Sequence, residues 1–152
     1  MTSALARLTE LGIALPPVAT PLAAYVPAVR TGSLVYTAGQ LPFIDGQLPA
    51  TGKVGGEVTG EEAVYLARTC ALNGLAVVNA LVGLDEVVRV VKVLGFVAST
   101  PDFTGQPAVL NGASEFLRDV FGDAGAHARS AVGVAVLPMD APVEVELIVE
   151  VR

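Results

Sequence analysis

Residues 143–151 read Val-Glu-Val-Glu-Leu-Ile-Val-Glu-Val. Side chains on a strand point to opposite faces with period 2, so Val143, Val145, Leu147, Val149 and Val151 share one face. Glu144, Glu146, Ile148 and Glu150 share the other. This spacing demands a sheet with one dry face. The other face must offer its glutamates water, a cation or an interface. Upstream, residues 128–138 form a second strand-like run that Arg129 opens and Pro138 closes. The turn that follows, Met139-Asp140-Ala141-Pro142, ends in a second proline. One arginine and one glutamate near the starts of the two runs can put a fixed cation and a fixed carboxylate at the end of one sheet. Small anionic substrates need such a pair.

The rest of the chain supplies the second layer. Residues 3–12 read as a short amphipathic helix with Leu5, Leu8 and Leu11 on one face and Gly12 as its stop. Pro16, Pro17 and Pro21 enforce an extended linker. Residues 26–30 and 33–38 predict two strands joined by a turn at Thr31-Gly32. Gly46, Gly52, Gly55 and Gly56 mark a loose hairpin or a long surface loop over 43–58. A helix starts near Thr59, where Thr59-Gly60-Glu61-Glu62 makes a capping box, and Gly83 ends it. Residues 86–98 predict a Val-rich strand buried on both faces for much of its length. Residues 106–121 predict a second helix with Val109, Ala113, Phe116, Leu117 and Val120 inward. Two long helices on one face of a mixed sheet make an α+β two-layer fold.

Bulk properties narrow the function. At 152 residues, 53% hydrophobic and 16% charged, the chain suits one domain with a real core. Nine basic against 15 acidic residues give a net charge of −6 and no basic stripe, which argues against a nucleic-acid partner. The one cysteine, Cys70, lies in an apolar helical stretch and reads as a small buried side chain in a reducing, cytoplasmic setting. No secretory leader is expected, since Met1-Thr2-Ser3 lacks a basic region. No apolar run is expected to span a membrane. A mean hydropathy of +0.63 is high for so small a monomer and predicts a homo-oligomer.

Four segments in order resemble the RidA/YjgF family, also known as the L-PSP endoribonuclease family. They are Ala24-Tyr25-Val26 with Val35 through Pro42; Val91-Lys92-Val93 with Phe96-Val97 and Asp102-Phe103; Leu110-Asn111 with Glu115-Phe116; and Ala128-Arg129-Ser130 through Pro138 with Val143 through Glu146. The likeness covers residues 21–152 and leaves 1–20 as an N-terminal helical extension. It implies a chorismate-mutase-like subunit in a homotrimer with a cleft at each interface. The implied reaction is hydrolysis of reactive enamines and imines such as 2-aminoacrylate to a 2-oxo acid and ammonia. No metal or organic cofactor takes part. By the match, Arg129 holds the substrate carboxylate and Glu144 orients the attacking water. Tyr25 and Asn111 line the cleft, and the backbone near Gly39 and Ala131 touches the ligand. The chain departs from the archetype at Ala38, where a hydroxyl residue is usual, and at Ala131, where Cys or Thr is common.

The chemistry is reasonable for those residue types. A guanidinium matches the plane of a carboxylate and stays charged. A carboxylate that places water supplies general acid–base help of about 10²–10⁴-fold. Plainer readings stand beside these roles. Arg129 and Glu144 also suit a structural ion pair across adjacent strands. Tyr25 suits an edge aromatic, Asn111 a solvated helix face, and Lys92 the rim of the sheet. His127, the only histidine, suits a solvated loop, and without other His or Cys nearby no metal site is credible. Sequestering a small carboxylate without turnover is the alternative function. RNA cleavage is disfavoured by charge.

Overall fold

A computed structural model describes residues 2–18 and 23–152. The linker proline at 21 and the expected boundary after residue 20 fall outside the described residues.

The sheet is built from β1 (Ala28–Thr31), β2 (Leu34–Thr37), β3 (Val87–Ala98), β4 (Ala128–Val134) and β5 (Val143–Val151) in the order β1-β2-β5-β3-β4. β3 pairs antiparallel with β5 and parallel with β4. The two C-terminal strands are therefore separated by β3 rather than paired with each other. A short 3-10 turn, Pro138–Asp140, lies in the connection between them. The hairpin turn sits one residue later than expected, at Gly32-Ser33, because Gly32 adopts φ 58°, which favours glycine.

Helices α2 (Gly60–Val82) and α3 (Gln106–Phe121) cover one face of the sheet. Thr59 caps α2 by accepting from the Glu62 amide at 3.1 Å, and Gly83 closes it at φ 89°. α2 spans 23 residues and is apolar enough to cross a membrane by length and composition, contrary to the sequence expectation. Its long row of buried residues, from Ala63 to Val78, packs it as a core helix instead.

Val143, Val145, Leu147, Val149 and Val151 face these helices and are buried, as the alternation requires. The other face is only half covered. β3 is thus not buried on both sides: Leu94 and Phe96 are half-buried and Val88 is exposed. Gly95 permits the close seat of α3 on β3. A Cβ there would run into the Leu110 side chain, which is fully buried over it. Truncating Leu110 would cost about 2–5 kcal/mol. That contact sets the height of α3 against β3 and β4.

The N-terminal helix α1 (Ala4–Glu10) buries Ala4 and Leu8, whereas Leu5 turns outward. Its Leu5 amide donates to Asp85 at 3.0 Å, and Arg7 donates to the Asp119 carbonyl at 2.9 Å. The segment at 46–58 is more than a surface loop. Val54 and Val58 are buried, and Lys53 pairs with Asp140 at 2.6 Å. These contacts fasten it to the connection between β4 and β5.

Candidate functional site: two half-sites

Arg129 is the second residue of β4 and pairs with Val93 of β3. Val93 is fully buried beneath the helices, and paired residues share a face, so Arg129 leaves the sheet on the helix side. There Nη1 donates to Oδ1 of Asn111 at 2.9 Å and to Oγ of Ser114 at 3.2 Å. Asn111 and Ser114 are three residues apart on α3 and so are neighbours on its surface. Both hydrogens of Nη1 are engaged. Nε and Nη2 remain as a planar fork that fits a carboxylate. Among the described residues, no Asp or Glu forms an ion pair with Arg129.

Ser114 is held in its turn. Its Oγ lies 2.9 Å from Nε2 of His127, and Nδ1 of His127 lies 2.6 Å from the Gly125 carbonyl. A carbonyl only accepts, which assigns the proton to Nδ1 and makes Nε2 the acceptor from Ser114. His127 is therefore half-buried and bonded through both nitrogens, not a solvated loop residue. Burial pushes its pKa below the usual value. The Gly125 hydrogen bond acts against that shift, and the Arg129 charge adds to it. Sequence reasoning passed over Ser114. Its spacing from Asn111 was the available signal.

Glu144 belongs to a different place. It pairs with Phe96 on the face away from the helices. A Cβ on Gly39 would collide with its carboxylate, so the carboxyl group lies directly against the Gly39 backbone. Two hydrogen bonds of 2.8 and 3.0 Å between Gln40 and Val145 clamp that segment to β5. The Ala38 amide donates to Pro27 at 2.7 Å, which brings the segment carrying the exposed Tyr25 alongside. Half-burial pushes the Glu144 pKa up, and the Glu146 charge pushes it further.

Arg129 and Glu144 do not meet. β3 lies between their strands, and their register partners are Val93 and Phe96. Two strand spacings and a three-residue offset separate their Cα atoms by about 14 Å. They also project from opposite faces. The ion pair across adjacent strands is thus ruled out, and no single groove of one chain holds both groups. Ala131 pairs with Gly95 and packs toward the core on the Arg129 side, with its backbone on the sheet edge. Two hollows on the helix surface are lined around Glu115 and Asp119, and neither includes Arg129 or Glu144. The chain holds two half-sites: Arg129, Asn111, Ser114 and Ala131 at the β4 edge, and Gly39, Glu144 and the Tyr25 segment by β5.

The YjgF/chorismate-mutase-like endoribonuclease family matches residues 5–151. The chain belongs to this family. The match includes most of α1 along with the sheet and the two long helices. Protein TCP17 of Trypanosoma cruzi is 47% identical over 97% of this chain and 93% of its own. A 2-iminobutanoate/2-iminopropanoate deaminase of Dermatophagoides farinae is 34% identical over 87% of this chain and 89% of its own. The crystal structure of Atu1372, a protein of unknown function from Agrobacterium tumefaciens, superposes with a TM-score of 0.91. It is 45% identical and covers 98% of this chain and 92% of its own. YjgF-family membership thus rests on sequence and on fold, and one relative carries the name of an imine deaminase.

Proposed function

We propose that this YjgF-family protein hydrolyses small carboxylate-bearing imines and enamines of the 2-aminoacrylate type, in clefts formed between copies of a homotrimer. Arg129 of one protomer grips the substrate carboxylate through Nε and Nη2. Glu144 of a neighbouring protomer places the water. An enamine first takes a proton at its terminal carbon and loses one from nitrogen, which gives the imine, whose carbon is electrophilic. Once its nitrogen is protonated, water adds to that carbon and gives up a proton to Glu144. Glu144 returns that proton to the amino nitrogen while the new hydroxyl loses its own to solvent, and the carbon–nitrogen bond of the carbinolamine breaks to leave a 2-oxo acid and ammonia. Glu144 suits that traffic because its raised pKa brings the acid and base forms closer in energy.

The observation that carries the reading is the guanidinium of Arg129. Two side chains orient it, and among the described residues it has no carboxylate partner and its fork of Nε and Nη2 is unused. Two further features support a site shared between copies. Glu144 lies on the opposite face, beyond reach of any small ligand bound at Arg129 of the same chain. β4 is an edge strand, and its exposed Val132 and the exposed Val136 just beyond suit burial against a second copy.

Ammonia release from enzymatically generated 2-aminoacrylate tests the reaction. The expected result is acceleration that disappears in Arg129→Ala while the oligomer persists. No acceleration with any of several amino-acid-derived imines would overturn it. A second reading, capture of a small 2-oxo acid without turnover, is favoured by Ala38 and Ala131. Neither side chain can donate a hydrogen bond beside Gly39 and Arg129. Ligand-dependent stabilisation without ammonia release distinguishes it.

A further inference from the structure

We propose that Ser114 and His127 are positioning residues that hold the Arg129 guanidinium in its anion-gripping pose. This inference rests on the functional reading of Arg129 given above, and it adds two residues that the family resemblance did not supply.

The geometry forms a one-way chain of donors. Arg129 Nη1 donates to Ser114 Oγ, Ser114 donates to His127 Nε2, and His127 Nδ1 donates to the Gly125 carbonyl. Each group fixes the next. The carbonyl selects the tautomer of His127. That tautomer aims the Ser114 hydroxyl, which turns its oxygen lone pairs toward Arg129. A free guanidinium rotates about its Nε–Cζ bond and samples several side-chain rotamers. Here two acceptors on Nη1 restrict both motions, Asn111 being the second. The fork of Nε and Nη2 is thus presented in one orientation before any anion arrives, which removes an ordering cost from binding.

The chain spans three elements that converge only in the folded protein. Ser114 comes from α3, Arg129 from β4, and Gly125 from the 3-10 turn before β4, with His127 in the link that follows it. Arg129 is the charged group that acts on His127 electrostatically. On α3 the charged neighbours Glu115 and Arg118 are exposed, and so is Asp123 on the 3-10 turn. The arrangement thus keeps His127 neutral, with Nε2 free to accept, at the pH where Arg129 must bind.

The test uses the intact oligomer and 2-oxobutanoate as the probe, with affinity measured by titration calorimetry. Arg129→Ala is expected to lose binding. Ser114→Ala and His127→Gln are each expected to weaken it about 10-fold, the effect of losing a hydrogen bond to a charged group. Ser114→Thr, which keeps the hydroxyl, should restore most of it. The double variant should be no weaker than the worse single variant, because the two residues act as one chain. Loss in Arg129→Ala with affinity within about twofold of the parent in both Ser114→Ala and His127→Gln overturns this proposal and leaves the functional reading intact. Unaltered binding in Arg129→Ala overturns both.

A readout without ligand decides the matter if the parent does not bind the probe. Nitrogen-15 NMR of the single histidine should show the Nδ1–H tautomer, and the Nη signals of Arg129 should show hindered rotation that is released in Ser114→Ala. An Nε2–H tautomer, or free rotation already present in the parent, overturns the proposal.

Discussion

Arg129 and Glu144 sit on the two strands that flank β3, yet their surroundings treat charge in opposite ways. The guanidinium meets Asn111 and Ser114 at 2.9 and 3.2 Å and keeps its charge in a fixed direction. The carboxylate is half-buried against Gly39 with Glu146 nearby, and both influences disfavour its anion. A cation held by acceptors suits binding. A carboxyl group pushed toward neutrality suits proton exchange. In the proposed mechanism the division of labour between the half-sites comes from environment, not from residue type, since Glu146 and Glu150 share the strand face of Glu144.

The largest expected effect comes from removing the binding half. Arg129→Ala should lower kcat/KM for imine hydrolysis about 10³-fold, the scale of two charge-assisted hydrogen bonds. Size-exclusion chromatography should show the oligomer unchanged. Altering the other half should split differently. Glu144→Gln is expected to lower kcat about 10²-fold while 2-oxobutanoate still binds with near-parental affinity. A matching loss of affinity would show that the half-sites do not divide binding from chemistry.

Gly39→Ala is a gentler probe of the Glu144 half. The added Cβ meets the far end of a flexible side chain, so the protein should fold normally with its carboxylate displaced. We expect about a 10-fold fall in kcat, in keeping with loss of position rather than loss of the group. Unchanged kcat would show that the contact with Gly39 does not aim Glu144.

The smallest effects lie in the pH dependence of stability, and the two halves should differ in sign. The native pKa of His127 lies below its ordinary 6.5. As pH falls, the unfolded chain takes up the proton first, so stability is full above 6.5 and declines down to the lower native value. His127→Gln should flatten that decline in urea titrations run at several pH values. Glu144 has a native pKa above its ordinary 4.5. Its contribution is present below 4.5 and is lost as pH rises through the raised value. Glu144→Gln should therefore be more stable than the parent at neutral pH while being nearly inactive. A less stable variant would contradict the assignment of burial as the cause.

Much of the fold was legible because its signals are local. Residues 106–121 carry their apolar side at helical spacing, and α3 spans those same residues. Thr59 caps α2 and Gly83 ends it, as hydroxyl and glycine chemistry predict. The period-2 pattern of 143–151 assigned both faces of β5 correctly. Leu5 was placed on the wrong side because a seven-residue helix leaves the apolar stripe ambiguous, and Ala4 with Leu8 fits the core equally well. The burial of β3 was overestimated because a run of valines looks the same whether one face or two are covered.

The chain's own sequence determined which segments are helices and strands, which face of β5 is dry, and that one arginine stands near the start of β4. Those properties depend on residues within a few positions of one another. Only the tertiary structure decided that β3 separates β4 from β5, that Arg129 and Glu144 therefore face opposite ways, and that Ser114 and His127 close around the guanidinium. Strand order and register are set by contacts between residues far apart in sequence. A side chain's face follows from the partner strand's register as well as from its own alternation.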